Sequence, residues 1–114
     1  MIDDPVRFRL EDIRRYGREA LDVLGERSAE DLRGDRIREL ALVRLVEIVG
    51  EAVSKLPPEV RRQAPQVDWR AAVAMRNVLI HAYGQVRMEM VVSTVREDFP
   101  GLIDTADNLL KGDS

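Results

Sequence analysis

The chain has 114 residues, no cysteine, and a formal charge of −3 from 18 Lys and Arg against 21 Asp and Glu. That length fits one domain over residues 1–114, the lack of thiols excludes a disulfide framework and any thiolate metal site, and the acidic balance argues against a broad electrostatic grip on nucleic acid. No apolar run approaches the ~20 residues of a membrane span, and the opening MIDDPVRFRLED lacks the basic-then-apolar order of a signal peptide, so a cytoplasmic protein with no membrane partner is expected.

In chain order the hydrophobic period is helical. Leu10, Ile13, Gly17, Leu21 and Leu24 recur at three and four residues and predict a helix over about 6–25. Gly25 suits its C-terminal end, and Ser28 and Asp31 have the spacing of a cap and third position of a new turn. A second long helix follows from about Asp35 to Lys55. Ile37, Ala41, Leu45, Ile48 and Ala52 form one stripe on it, and Leu42, Val46, Val49 and Val53 form another beside it. Arg44, Glu47 and Glu51 make a polar column along the same helix. LPPEV ends it, because proline cannot continue a helix and constrains the residue before it. A short helix at 58–63, stopped before Pro65, comes next.

Asp68 is placed to cap a helix from Trp69 to about Tyr83, with Gly84 as its break. A further helix over about 88–97 and a last one from Pro100 to about Leu110 complete the chain. MEMVVSTV is the one strand-like stretch, and the helical pattern on both sides of it favours helix. The fold class expected is all-α: an antiparallel bundle of four main helices plus short ones. Trp69 reads as a core or interface anchor, and Tyr16 as half-buried packing.

Charge is uneven along the chain: −3 over residues 1–35, +2 over 36–70 and −2 over 71–114. Sixteen of the cations are Arg, so any anion contact is expected to be a local arginine fork, not a diffuse lysine field. Most of these arginines read as solvated surface charge.

The helix from Trp69 carries the chemistry. It is apolar nearly all round, so it needs cover on more than one side, and a second subunit could supply part of that. Into it the sequence sets Arg76, Asn77 and His81, the chain's one histidine. Asn77 and His81 fall one turn apart on one face, while Arg76 and His81 diverge by roughly 140° at ~100° per residue. Two readings stay open on spacing alone. In the structural one, a buried His81 is hydrogen-bonded by Asn77, and a buried Arg76 pairs with Glu47 or Glu51. In the chemical one, the RNA 2′-hydroxyl attacks its own phosphate, with an imidazole as general acid or base and a guanidinium on the phosphate oxygens. The set has no catalytic thiol or paired acid and too few ligands for a metal site, and the chain has no glycine-rich phosphate loop. No cofactor is expected.

The stretch RNVLIHAY is similar to the Arg-x4-His-x-Tyr signature of HepT-like toxins, a branch of the HEPN-domain ribonucleases. RLVEIVGEAVSKLP (44–57), EDFPGL (97–102) and EDI (11–13) resemble further segments of that family, so the likeness covers most of the chain. It implies a helical homodimer whose two motifs face a shared cleft. It further implies a metal-independent endoribonuclease that acts as the toxin of a type VII-like toxin–antitoxin pair. Catalysis would fall to His81 and Arg76, with Asn77 as positioner. From their place in the polar column, Glu47 and Glu51 are expected to pair with Arg76 or Arg44 or to orient His81. The partner implied is a minimal nucleotidyltransferase antitoxin of the MntA kind, which transfers AMP to the motif tyrosine, here Tyr83. The chain departs from the family at Gly84, Gln85, Val86 and Arg87 and at Val92, where that family often has Phe-Gly-Val-Asp and a later tryptophan. A second reading is a non-catalytic helical module that partners a nucleotidyltransferase, and a third is a nucleotide-binding scaffold acting as a helical dimer.

Overall fold

The computed structural model describes residues 2–82 and 86–112. Helix α1 spans Asp4–Leu24 and starts where the Asp3 carboxylate accepts the Val6 N–H at 3.0 Å, with Pro5 in the first turn. It ends at Gly25, whose φ of 51° is the left-handed region that glycine adopts without a side-chain clash. Helix α2, Ala29–Arg33, opens on a reciprocal cap. Ser28 Oγ accepts from Asp31 N at 3.1 Å and Asp31 Oδ2 accepts from Ser28 N at 2.9 Å, as the Ser-x-x-Asp spacing predicts. Asp35 caps α3, Arg36–Ser54. A short α4, Pro58–Arg61, leads to α5, Trp69–His81, which Asp68 caps by accepting from Ala71 N at 3.2 Å. Helix α6, Met88–Ser93, passes through a π-helical turn, Thr94–Asp98, into α7, Phe99–Gly112.

Four long segments form the bundle: α1, α3, α5 and the continuous run from α6 through α7. Helix α1 packs on both α3 and α7, and α3 packs on α1 and α5. Leu10, Ile13, Leu42, Val46, Val49, Val53, Val95, Phe99 and Leu102 meet in one contiguous core and are excluded from solvent. The all-α expectation is met: the described residues hold no strand, and MEMVVSTV is helical. None of their helices is long and apolar enough to cross a membrane.

The structure corrects three expectations. The chain does not break between 97 and Pro100; it stays helical throughout. Proline at position 100 has no N–H to donate, and its ring crowds the carbonyl four residues back, at Arg96, in a tight α turn. The π turn just before it is wider, which accommodates the ring while Val95 and Phe99 both stay in the core. Helix α5 ends at His81 instead of Tyr83: Ala82, at φ −135° and ψ 43°, has left the helical region. Third, the apolar stripe expected on α3 splits. Leu45 and Ala52 are buried, but Ile37 is 82% exposed.

Gly50 sets the α3–α5 crossing. A Cβ there would fall 2.4 Å from Arg76 Cβ and 2.7 Å from the Ala72 carbonyl oxygen, atoms that cannot swing aside. At Gly101, by contrast, a Cβ would meet nothing within 4 Å. Gly50→Ala is therefore expected to lose stability, overpacking of about 1–3 kcal/mol exceeding the helix-propensity gain. Gly101→Ala is expected to gain up to about 1 kcal/mol. Thermal melts of the two variants check this, and a Gly50→Ala protein as stable as Gly101→Ala would refute the close crossing.

Candidate functional site

The site grows out of that crossing. Because Gly50 has no side chain, the stem of Arg76 lies directly on α3, and its guanidinium emerges beside Glu51. Arg76 Nη2 lies 2.7 Å from Glu51 Oε2, and Arg76 Nη1 donates to Asn77 Oδ1 at 2.9 Å. Its Nε is buried and meets no acceptor among the described residues. An arginine has five N–H donors in a fixed fork, so the two carboxyl and amide contacts hold the group in place while leaving donors unused.

In front of Arg76 opens a cleft of about 400 Å³, walled by Arg9 and Asp12 of α1, Arg44, Glu47 and Glu51 of α3, and Ile48 and Ile80. Glu47 faces Arg44 at 3.7 Å, a loose pair, and Glu51 also lies 3.7 Å from Lys55. The polar column read on α3 thus lines one wall of the cleft.

His81 stands apart from that cluster. It is the last residue of α5, exposed to solvent, and no described residue hydrogen-bonds its imidazole. Asn77 is exposed as well and spends its oxygen on Arg76, not on His81. The structural reading is therefore half met: Arg76 pairs with Glu51, but His81 is not a buried histidine held by Asn77. Helix α5 buries Trp69, Ala72, Met75 and Leu79 and leaves Ala74, Asn77, Ile80 and His81 outside. Apolar composition overstated its burial, because alanine is tolerated on either side. Tyr83, the residue expected to be modified, lies outside the described residues, as do Gly84 and Gln85; Arg87 is exposed. Among the described residues, no three His, Cys, Asp or Glu side chains are grouped to hold a metal ion.

A family model described as "Ribonuclease HepT-like" matches residues 10–109. The chain belongs to the HepT-like family. It is 38% identical over 82 residues to a "Probable ribonuclease HepT" of Thermococcus cleftensis, covering 72% of this chain and 74% of that one. It is 36% identical over 84 residues to a "Putative RNase" of Caldanaerobacter subterraneus, covering 74% and 75%. A "Putative RNase" of Methanocaldococcus jannaschii is 28% identical over 106 residues, covering 93% of this chain and 88% of its own. No solved structure matches it. The resemblance read from RNVLIHAY and its companion segments is met, and the helical bundle of this HepT-like chain agrees with the HEPN class.

Sequence reading missed Arg9 and Asp12 as walls of the cleft. They sit at i and i+3 on α1, and a charged pair at that spacing is indistinguishable from solvated surface until the packing of α1 on α3 is known. Arg76 and Glu51 are only partly shielded, with side chains 27% and 38% exposed. Glu51→Ala in this HepT-like chain should thus cost only about 0–1 kcal/mol of stability. Urea unfolding measures it; a loss well above that range would make the pair a structural strut and not a means of orienting Arg76.

Proposed function

We propose that the chain is an endoribonuclease toxin that cuts RNA by 2′-hydroxyl attack, without a metal ion, in a cleft shared by two copies. The observation that carries this reading is the held Arg76 guanidinium, fixed by Glu51 and Asn77 at a cleft mouth, with the exposed His81 about 7 Å further along the same helix. His81 removes the proton of a 2′-hydroxyl, whose oxygen attacks the adjacent phosphorus. Negative charge builds on the non-bridging oxygens, where the free donors of Arg76 meet it. The bond to the 5′ oxygen breaks, that oxygen takes a proton from an imidazolium, and a 2′,3′-cyclic phosphate and a 5′-hydroxyl leave.

Within one chain Arg76 and His81 diverge by about 140° along α5, so one copy's pair converges poorly on a single phosphate, and a second copy completes the set. Exposed Ile37 and Leu40 on α3 and Ile80 beside the cleft support such a pairing surface. Glu51, and more loosely Glu47 through Arg44, act as positioning residues. The chain is paired with a minimal nucleotidyltransferase antitoxin. Its action joins the Tyr83 phenol oxygen to the α-phosphorus of ATP with release of pyrophosphate, placing a bulky anion two residues from His81.

His81→Ala is expected to slow RNA cleavage about 10²- to 10⁴-fold and Arg76→Ala about 10²- to 10³-fold, with the helical circular-dichroism signal kept. A chelator should leave the rate unchanged, and an oligonucleotide with a 2′-deoxyribose at the scissile position should stay intact. A folded His81→Ala protein that cuts at the wild-type rate overturns the reading. Co-expression with a minimal nucleotidyltransferase of the proposed kind should add the mass of one AMP at Tyr83, and modification elsewhere would remove that residue from the regulation.

A further inference from the structure

A second cavity, at the other end of α5, has no part in the chemistry above. It holds about 420 Å³ between α4 and the segment leading into α5. Pro58, Pro65 and the buried Trp69 give it apolar walls. Trp69 is fixed there, because its indole N–H donates to the carbonyls of Arg61 at 3.2 Å and Ala64 at 3.1 Å.

Arg61, Arg62 and Arg70 stand round the cavity, against one lining carboxylate, Asp68, which already accepts from the Ala71 N–H. None of the three forms an ion pair with a described residue. Elsewhere Arg14, Arg33, Arg36, Arg38 and Arg76 each have a carboxylate within 3.0 Å. The Nε of Arg61 is moreover buried without an acceptor among those residues. A buried donor with no partner is costly, so the described residues leave the hydrogen-bonding needs of Arg61 unmet.

Position along α5 ties this cavity to the cleft. Arg70, Ala74, Asn77 and His81 follow at i, i+4, i+7 and i+11, and all four are exposed, so they form one stripe on the open side of the helix. Arg70 and His81 are about 16 Å apart along its axis. A strand laid on that stripe with its reacting linkage at His81 reaches Arg70 a few nucleotides away.

We propose that this cavity is a subsite for one nucleotide of the RNA strand, away from the linkage that is cut. The base sits against Pro58, Pro65 and Trp69, and the guanidinium groups of Arg61, Arg62 and Arg70 hold its phosphate. Apolar walls with a cationic rim match an unstacked base with its phosphate better than they match a bare inorganic anion. The assignment rests on the ribonuclease reading and names how that reading's substrate is held.

The test is the binding of wild-type protein and of an Arg61→Gln/Arg62→Gln/Arg70→Gln variant to a labelled 2′-O-methyl RNA strand, which cannot be cut. Fluorescence anisotropy is followed over a range of salt. The variant should bind at least ten-fold more weakly, and its salt slope should fall by about 0.7, the value for one phosphate no longer neutralised on a single strand. On cleavable RNA its KM should rise far more than its kcat falls. Arg70→Gln alone, at an exposed position that folding does not need, should weaken binding in the same direction. Unchanged affinity and slope in both variants overturn the subsite, whether or not the wild type cuts RNA. Weakened strand binding in a protein that cuts nothing upholds the subsite and overturns the cleavage reading alone. A poly-glutamate peptide bound through these arginines, with no binding of the RNA strand, overturns the assignment in favour of an acidic protein segment.

Discussion

The approach of α5 to α3 at Gly50 is the contact on which the rest of the molecule depends. A hydrogen atom in place of a side chain lets the Arg76 stem lie against the neighbouring helix, where the same turn of α3 offers Glu51. One residue's lack of bulk therefore fixes both a core packing distance and the place of a guanidinium. The site is not a loop attached to a finished scaffold; it is the exposed edge of the core itself. Such a base is stiff, because neither helix can shift without disturbing buried Val46, Val49 and Leu79.

Much of this was legible in the sequence where the signal is local. Ser28 with Asp31, and Asp68, mark helix starts through hydrogen bonds a few residues long, and these form as the spacing predicts. Arg76, Asn77 and His81 were legible as a group, through helical spacing and through the family's motif. What the sequence did not reveal depends on packing. The passage of a helix through Pro100 needed a widened turn held between Val95 and Phe99, both buried by other helices. The solvent position of Ile37 follows from which side of α3 its neighbours occupy, and composition is silent on that. The exposure of His81 follows from the same cause: apolar composition cannot say that one side of α5, with Ala74, Asn77, Ile80 and His81, stays uncovered.

Electrostatics sets the arginines apart. Arg14, Arg33, Arg36 and Arg38 are closely matched to acids, while Arg27 and Arg96 donate to backbone carbonyls. Asp107 accepts from Arg14 and Lys111, and these partners, Lys111 first, hold its carboxyl below the usual range. Those at the start of α5 are not matched. Net charge alone would have placed the chain among proteins that avoid polyanions, yet a chain can be acidic overall and still gather cations where its fold brings α4 and α5 together.

The tethering of Trp69 has an optical consequence. It is the chain's one tryptophan, its indole pinned by two carbonyls at the joint between α4 and α5. Its emission therefore reports from one place, a wall shared by the core and the arginine-rimmed cavity. Unfolding would carry that indole into water, whereas filling of the cavity would alter its surroundings while it stays pinned. The molecule thus holds an intrinsic fluorophore that can tell occupancy from denaturation without a label.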